Sequence, residues 1–218
     1  MTFSLAGFAA GCHVADPQKF AAECEKLRTL LEEVNREVNL TRITEFEEFN
    51  LKHAADSLSI ARAFPEIASQ PFKIADLGCG AGFPSLILAL AFPSLHITAI
   101  DSTGKKIAFV RRAIEFLGLQ NIDAVNGRAI ELNRKIEFRN TFDIVTARAV
   151  APVAKLYRES DRFLKRGGRW IFYKTPQQAE EEQSDLQKIN CVNWNLSEEF
   201  ELPGNCGRRL FVTGEKKI

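Results

Sequence analysis

The sequence lacks long apolar runs and paired-cysteine motifs. No stretch of about 18 uncharged apolar residues occurs, so we predict no membrane-spanning helix and no membrane partner. The cysteines are odd in number, scattered and never arranged as C-x-x-C, which argues against a zinc site and against a disulfide framework. They are Cys12, Cys24, Cys79, Cys191 and Cys206. The pattern predicts no bound metal and a reducing, cytoplasmic location.

A strong net charge is also missing. The 29 Lys and Arg residues are balanced by 28 Asp and Glu residues, a net charge of +1. Overall charge therefore gives no indication of a nucleic-acid partner, and polyanion binding would depend on where basic residues cluster. No heptad seam is present, so we predict a monomer.

The first 70 residues have helical periodicity. Asp16-Pro17 is a typical helix start, and an apolar stripe at steps of four and three follows it to about Val38. Thr44-x-x-Glu47 is interpreted as a capping box that opens a second helix, ending near Ala63. Residues 1–70 are therefore predicted to be an N-terminal helical extension.

From residue 71 onward, short strands and helices alternate. Strands are predicted at 72–77, 96–100, 122–125, 142–147 and 168–173, with helices at 84–92, 105–117 and 153–164. Two further strands, 194–202 and 208–214, flank the turn PGNCG. Alternation with short connections indicates a parallel sheet with right-handed crossovers. Residues 71–218 are thus predicted to form an α/β domain with a mostly parallel, seven-stranded sheet and a terminal antiparallel hairpin at its edge.

The stretch DLGCGAGFP, residues 76–84, is a glycine-rich turn between the first strand and a helix. The dinucleotide fingerprint requires G-x-G-x-x-G, but here the third glycine, Gly82, falls one place early. Pro84 removes a backbone N–H that a pyrophosphate would use at the helix start. The turn formed by Gly78, Gly80 and Gly82 therefore favours a nucleoside ligand without phosphate.

Two acidic residues narrow the ligand further. Asp76 precedes the turn, where a carboxylate could reach an ammonium group, and Asp101 ends the second strand, where it could accept both hydrogens of a ribose diol. S-adenosylmethionine combines a ribose and an amino acid without phosphate. It is favoured over the two alternatives, a plain turn with satisfied aspartates and a nicotinamide enzyme with an altered fingerprint. The terminal antiparallel hairpin also resembles the Rossmann-like class I methyltransferase fold.

The methyl acceptor is indicated by other residues. The fourth strand is followed by Thr146-Ala147-Arg148-Ala149-Val150 rather than an N/D-P-P-Y/F box, and no cysteine lies near the third to fifth strand ends. Arg128, Arg148 and Lys174 follow the third, fourth and fifth strands. One such cation is usually solvated or ion-paired, but three at one edge repel one another unless a polyanion offsets them. A phosphate-rich acceptor is therefore predicted. A methyltransferase acting on a protein or small molecule, and a non-enzymatic nucleotide-binding module, remain alternatives.

The order and spacing of several motifs resemble one known family. They are Asn39-Leu40-Thr41, His53-x-x-Asp56-Ser57-Leu58, the glycine turn with Phe83-Pro84, Asp101-Ser102, Arg128-Ala129-x-Glu131, Arg148-Ala149, Gly168 with Lys174, and Arg208. From about Asn39 to the C-terminus the chain is similar to the bacterial 16S rRNA guanine-N7 methyltransferases (RsmG, also called glucose-inhibited division protein B).

The resemblance implies methylation of N7 of a guanine in the 530 loop of 16S rRNA, position 527 in common numbering, with 16S rRNA or the small ribosomal subunit as partner. It implies cofactor contacts by Gly78, Phe83, Arg148 and the backbone of Ala129 and Ile130. Arg128, Lys174 and Arg208 would face RNA or the methyl-transfer site, and catalytic roles are expected for Arg148, Arg128 and Lys174. His53 is favoured as a structural histidine. The chain departs from the family pattern at Ser85, Ile130 and Thr175.

Overall fold

The protein has an α/β architecture with eight strands and nine α-helical segments in residues 3–216, the part that the computed structural model describes. The strands are β1 (Lys73–Leu77), β2 (His96–Asp101), β3 (Ile122–Asn126), β4 (Phe142–Arg148), β5 (Leu164–Lys174), β6 (Trp194–Leu196), β7 (Phe200–Glu201) and β8 (Arg208–Glu215). The helices are α1 (Leu5–Gly11), α2 (Pro17–Val38), α3 (Phe46–Glu48), α4 (Asp56–Ala63), α5 (Ser85–Ala91), α6 (Gly104–Leu117), α7 (Ala129–Leu132), α8 (Val153–Ser160) and α9 (Pro176–Gln187). No helix in this described range is long and apolar enough to cross a bilayer.

The sheet has the order β3-β2-β1-β4-β5-β8-β6, and β7 pairs with β8 outside this path. Strands β1 to β5 are parallel, whereas β8 is antiparallel to both β5 and β6. The predicted mostly parallel sheet with an antiparallel end is therefore confirmed. Two details differ. The predicted strand 194–202 is divided into β6 and β7, so within residues 3–216 the sheet has eight strands rather than seven, and β8 lies between β5 and β6, which leaves the short strand β6 at the edge.

The N-terminal helices cover one face of the sheet. Helix α2 buries the predicted apolar stripe, including Phe20, Cys24, Leu27 and Leu31, and these side chains belong to the same hydrophobic core as residues of α5 and α6. A parallel sheet must bury both faces, and here α2 and α4 contribute to one of them through α5 and α6.

The segment after α2 departs from its prediction. The capping box at Thr44 is wrong, because the helix begins at Phe46 behind Glu45, whose side chain makes no capping hydrogen bond. Between α3 and α4 the backbone is π-helical over Phe49–Ala55. Such wide turns occur often at functional sites, and this one includes Lys52 and His53.

Three helices have no counterpart in the sequence-based prediction, and two boundaries move. Helices α1, α7 and α9 are additional. Helix α8 ends at Ser160 rather than 164, and β5 begins at Leu164 rather than 168. Phe163 and Leu164 are fully buried apolar residues, which suit the end of a helix and the start of a buried strand equally well.

Candidate functional site

The glycine turn between β1 and α5 adopts a left-handed backbone at all three glycines. The φ angles are +65° at Gly78, +60° at Gly80 and +91° at Gly82. A Cβ atom on Gly82 would lie 2.4 Å from Leu86 Cδ1, so this glycine permits α5 to pack against the turn. A Cβ atom on Gly80 would have no neighbour closer than 4.0 Å. Gly80 therefore leaves open space where a ligand can approach the backbone.

Asp101, at the end of β2, holds the turn in place. Its Oδ2 accepts from Gly80 N–H at 3.0 Å, and its Oδ1 accepts from Thr103 N–H at 2.8 Å. Each carboxylate oxygen has a second acceptor site, so both remain able to accept a hydroxyl hydrogen. Asp101 thus fixes the conformation of the turn and is also a candidate to bind the two hydroxyls of a ribose.

A first cleft of about 520 Å³ opens beside Asp101. It brings together four of the nine predicted cofactor residues, namely Gly78, Asp101, Ala129 and Ile130, and adds Arg128, which was predicted to face RNA. Its volume lies in the range typical of small-ligand sites, and it adjoins the carboxyl ends of β1, β2 and β3. These donors, acceptors and dimensions fit S-adenosylmethionine.

Asp76 lies behind the turn, outside the linings of the clefts in the described chain. It is 1% exposed, is hydrogen-bonded to the Ser85 hydroxyl, and its Oδ1 has no partner among residues 3–216. Burial raises the pKa of this carboxyl to about 7, while the hydrogen bond from Ser85 opposes the rise. Ser85, one of the departures from the family pattern, is therefore the partner of Asp76.

A second cleft of about 390 Å³ lies on the other side of the turn. It shares Gly78, Lys106 and Ala149 with the first cleft. Its lining includes Gly80, Phe83, His53, Asp56, Arg148, Lys174 and Arg209. Ala149, with a left-handed φ of +56°, separates the two clefts directly after β4. Left-handed backbone is costly for a residue with a side chain and tends to occur at functional sites.

Arg148 is held by three groups of the π-helical segment and α4. Its Nη1 donates to Asp56 Oδ2 at 2.9 Å and to the Lys52 carbonyl at 2.7 Å. Its Nη2 lies 3.2 Å from His53 Nδ1. Because a guanidinium only donates, Nδ1 of His53 must accept, and the imidazole proton lies on Nε2, which is 3.4 Å from Thr41 Oγ1.

His53 is neutral in this arrangement. Burial, and then the charge of Arg148, lower the pKa of its imidazole to about 3. The ring also stacks on Phe83, with centroids 4.1 Å apart. These contacts agree with the interpretation of His53 as a structural histidine, and they explain the motifs at Thr41 and His53-x-x-Asp56.

A second arginine reaches the same carboxylate. Arg209 Nε donates to Asp56 Oδ1 at 3.2 Å, so Asp56 binds Arg148 and Arg209 through different oxygens. Sequence analysis selected the neighbouring Arg208 instead. The Arg208 side chain is 65% exposed and pairs with Glu199 at 2.8 Å. Successive strand residues point to opposite faces, so only one of this pair can enter the second cleft.

Lys174 is also paired. It is 6% exposed, and its Nζ donates to Glu182 Oε1 at 2.6 Å and to the Ala151 carbonyl at 2.9 Å. The expectation that only a polyanion offsets the charges at this edge is therefore wrong for Arg148 and Lys174, because Asp56 and Glu182 already do so. Arg128 is exposed and makes no ion pair within the described residues.

The structure thus divides the predicted residues between two neighbouring clefts and leaves three of them outside both, Asp76, Gly82 and Arg208. Sequence reasoning missed Arg209 and Glu182. Glu182 could have been found, because Thr175 and Gln178 form a capping box that predicts α9, on which Glu182 lies eight residues after Lys174. No cluster of metal-ligating side chains occurs within residues 3–216.

Comparison with known proteins identifies the family. The profile of rRNA small subunit methyltransferase G (GidB) matches residues 21–199. A ribosomal RNA small subunit methyltransferase G from Streptococcus pyogenes serotype M12 (strain MGAS2096) is 40% identical over 192 residues, covering 86% of this chain and 80% of the relative. The protein of the same name from Lactococcus lactis subsp. cremoris (strain SK11) is 41% identical over 196 residues, covering 88% and 82%.

Two solved structures share the fold. A putative S-adenosyl-L-methionine-dependent methyltransferase from Methanococcus maripaludis has a TM-score of 0.61 at 16% identity, covering 88% of this chain and 92% of that one. A SAM-dependent methyltransferase from Aquifex aeolicus has a TM-score of 0.56 at 15% identity, covering 88% and 97%. The two-cleft site lies on this Rossmann-like fold, and the matched range of the family profile includes every lining residue of both clefts except Arg209. The chain belongs to the rRNA small subunit methyltransferase G family and is an S-adenosylmethionine-dependent methyltransferase.

Proposed function

We propose that this protein methylates N7 of the guanine at position 527, in the 530 loop of 16S rRNA. The observation that carries the proposal is the contact between the two clefts across Gly78, Lys106 and Ala149. A nucleoside bound in the first cleft has its amino-acid end near the glycine turn, and a base bound in the second cleft meets it there. The relatives named above support RNA of the small ribosomal subunit as the acceptor.

The first cleft supplies the groups that hold the cofactor. We assign the ribose hydroxyls to Asp101, the adenine side to the backbone of Ala129 and Ile130, and the amino-acid end to the turn formed by Gly78, Gly80 and Gly82. Asp76 acts on the amino-acid end from behind the turn, and Phe83 supports the turn through its stack on His53. When bound, S-adenosylmethionine supplies a methyl group that is already electrophilic.

The acceptor requires positioning rather than proton removal. Guanine N7 carries an unprotonated lone pair, so the protein needs no general base. This agrees with a second cleft whose histidine is neutral and already accepts a hydrogen bond from Arg148. We assign to Arg148 and Lys174 the donation of hydrogen bonds to the guanine O6 edge, which leaves N7 free to attack.

The paired state of these cations suits the product. Methylation at N7 places a positive charge on the base, and an unpaired arginine or lysine beside it would oppose that charge. Asp56 and Glu182 neutralise Arg148 and Lys174 while leaving them further N–H donors. Arg128 and Arg208, which are exposed, bind RNA phosphates in this proposal. The protein acts as a monomer in the cytoplasm.

A transfer assay tests the function directly. Labelled S-adenosylmethionine is incubated with small ribosomal subunits, or with 16S rRNA, prepared without the modification. We expect label in the RNA and a single mapped position, at N7 of the guanine in the 530 loop. Subunits carrying adenine at that position are the matched control and should take up no label. Label in a different base, in protein, or in the control RNA would contradict the proposal.

A further inference from the structure

Positive charge is distributed unevenly along the chain. Residues 128–166 contain ten Lys and Arg residues against five Asp and Glu residues, a net charge of +5. Since the whole chain has a net charge of +1, the remainder carries a net charge of −4. The excess lies on the segment that begins with α7 and ends at the start of β5.

Hydrogen bonds bring the two halves of this segment together. Asn133 donates from Nδ2 to Asp161 Oδ1 at 2.7 Å and accepts from Arg162 N–H at 3.0 Å. Asn140 N–H donates to the Arg162 carbonyl at 2.8 Å. Cations from the α7–β4 connection therefore lie beside those of α8 and its C-terminal turn. We call this surface the α7–α8 basic strip; it consists of Arg134, Lys135, Arg139, Arg158, Arg162 and Arg166.

All six side chains are exposed, and none forms an ion pair with a carboxylate in residues 3–216. Four acidic residues lie on the same elements. Glu159 pairs with Lys155 at 3.9 Å, Asp161 accepts from Asn133, and Glu131 and Glu137 are exposed. Counting the three that have no ion pair within residues 3–216, the strip retains an excess of three positive charges. It differs in this from the second cleft, where each buried cation has a carboxylate partner.

The strip is continuous with the first cleft. Arg128 and Ala129, at the start of α7, line that cleft, as do Lys155 and Glu159 of α8. Arg139 precedes β4 and Arg166 lies at the start of β5, so the strip reaches the amino ends of these strands, and the seven residues of β4 span roughly 23 Å at about 3.3 Å per residue. That length covers several phosphates of one strand.

We propose that the α7–α8 basic strip binds the phosphate backbone of the substrate RNA outside the clefts. The proposal rests on the RNA methyltransferase function proposed above and adds where the RNA leaves the site. Among the described residues of the α7–β4 connection and of α8 with its C-terminal turn, which carry the strip, Ile136 is the one large apolar side chain that is exposed. Such a surface favours binding to a hydrated polyanion over binding to a membrane.

The test compares two variants that each lose three positive charges. One is R134A/R139A/R162A, and the control is K19A/K26A/R62A, whose residues are exposed on the N-terminal helices. Binding of 16S rRNA is measured at several salt concentrations. Each lost phosphate contact reduces the slope of log K against log salt by about 0.7 to 0.9. We expect the strip variant to lose about 2 to 3 from the slope and the control to keep the wild-type slope. The R134K/R139K/R162K variant should also keep it.

Binding of S-adenosylhomocysteine reports folding and should be the same in all four proteins. Equal slopes in the strip variant and the control would overturn the proposal while leaving the proposed function intact. Loss of binding to phosphatidylglycerol vesicles without a change in the RNA slope would overturn it in favour of a membrane surface. If the wild-type protein methylates no RNA, the proposed function fails, and the slope comparison still decides the role of the strip.

Discussion

The imidazole ring of His53 lies parallel to the ring of Phe83, with centroids 4.1 Å apart and an angle of 8° between the planes. His53 belongs to the π-helical segment and Phe83 to the glycine turn. The same imidazole accepts from Arg148 at the end of β4. One neutral ring therefore joins the N-terminal helices, the glycine turn and the second cleft.

Two buried groups should give opposite pH dependences of stability. The pKa of His53 is lowered to about 3 from 6.5, so unfolding takes up a proton between pH 3 and 6.5. The contribution of His53 to the free energy of unfolding therefore falls as the pH decreases through this range. The pKa of Asp76 is raised to about 7 from 3.8, so unfolding releases a proton in that range, and stability falls as pH increases. Each contributes about 1.4 kcal/mol per pH unit, and in the wild type the two largely cancel between about pH 4 and 6.5.

Single variants should separate the two contributions. As the pH rises from 4.5 to 6.5, the stability of H53N should fall, because only the contribution of Asp76 remains. The stability of D76N should rise over the same range, because only the contribution of His53 remains. Urea unfolding at pH 4.5, 5.5 and 6.5 measures both slopes. Variants that keep the wild-type slope would contradict the assignment of these pKa values.

Asp76 should also make cofactor affinity depend on pH. If its carboxylate faces the ammonium group of the cofactor, binding favours the charged form and releases a proton below pH 7. We expect the affinity for S-adenosylhomocysteine to rise about eightfold from pH 5.5 to 6.5, to rise about fourfold more at higher pH, and to level off above about pH 8. Calorimetry measures this, and D76N should bind more weakly with a flat profile. If the affinity of D76N still depended on pH in this range, the proton released on binding would come from a group other than Asp76.

Arg148 should be far more sensitive to substitution than an exposed arginine. In R148A, Asp56 stays buried with only Arg209 as its ionic partner, and breaking such a pair costs about 3 to 5 kcal/mol. We expect the methyl-transfer rate of the folded protein to fall by a factor of roughly 100 or more, as for loss of a positioned hydrogen-bond donor. R112A removes an exposed pair with Glu33 and is the control. Equal rates in the two variants would exclude a role for Arg148.

Alanine substitutions at two glycines of the turn should affect different properties, cofactor affinity in one case and stability in the other. G80A introduces strain of about 1 to 2 kcal/mol at a left-handed position, and its methyl group projects into open space beside the clefts. G82A adds a collision with Leu86, which costs about 1 to 3 kcal/mol more. We expect G80A to lose mainly cofactor affinity and G82A mainly stability, measured by calorimetry and urea unfolding. The reverse order would show that Gly80 faces away from the cofactor.

Substitutions of Arg208 and of Arg209 should change different kinetic parameters. Arg209 shares Asp56 with Arg148, so R209A should lower kcat at saturating RNA. Arg208 is exposed, so R208A should instead raise KM for RNA and reduce the salt slope of binding by about 0.7 to 0.9, the loss of one phosphate contact. Steady-state kinetics at two salt concentrations distinguish them. If R208A lowers kcat and R209A does not, the assignments are exchanged.

The cofactor half of the site could be predicted from the sequence because its determinants are local. The strand, the glycine spacing and the helix start lie within 13 residues, Lys73 to Ser85, and Asp101 ends the next strand. The spacing of glycines reports backbone conformation directly, since only glycine adopts left-handed φ without cost. The parallel sheet followed in the same way from the alternation of strands and helices.

The acceptor half was decided by tertiary contacts. Asp56 and Arg148 are 92 residues apart, and Asp56 and Arg209 are 153 apart. The choice between Arg208 and Arg209 depends on the register of β8, which pairs Arg209 with Phe200 and Arg208 with Glu201. A shift of one residue would exchange the two side chains between the faces of the strand. Local sequence therefore determined the fold and the nucleoside turn. Only the packed structure brought Asp56 to Arg148, because burying a cation at the sheet edge requires a carboxylate from whichever segment packs against it.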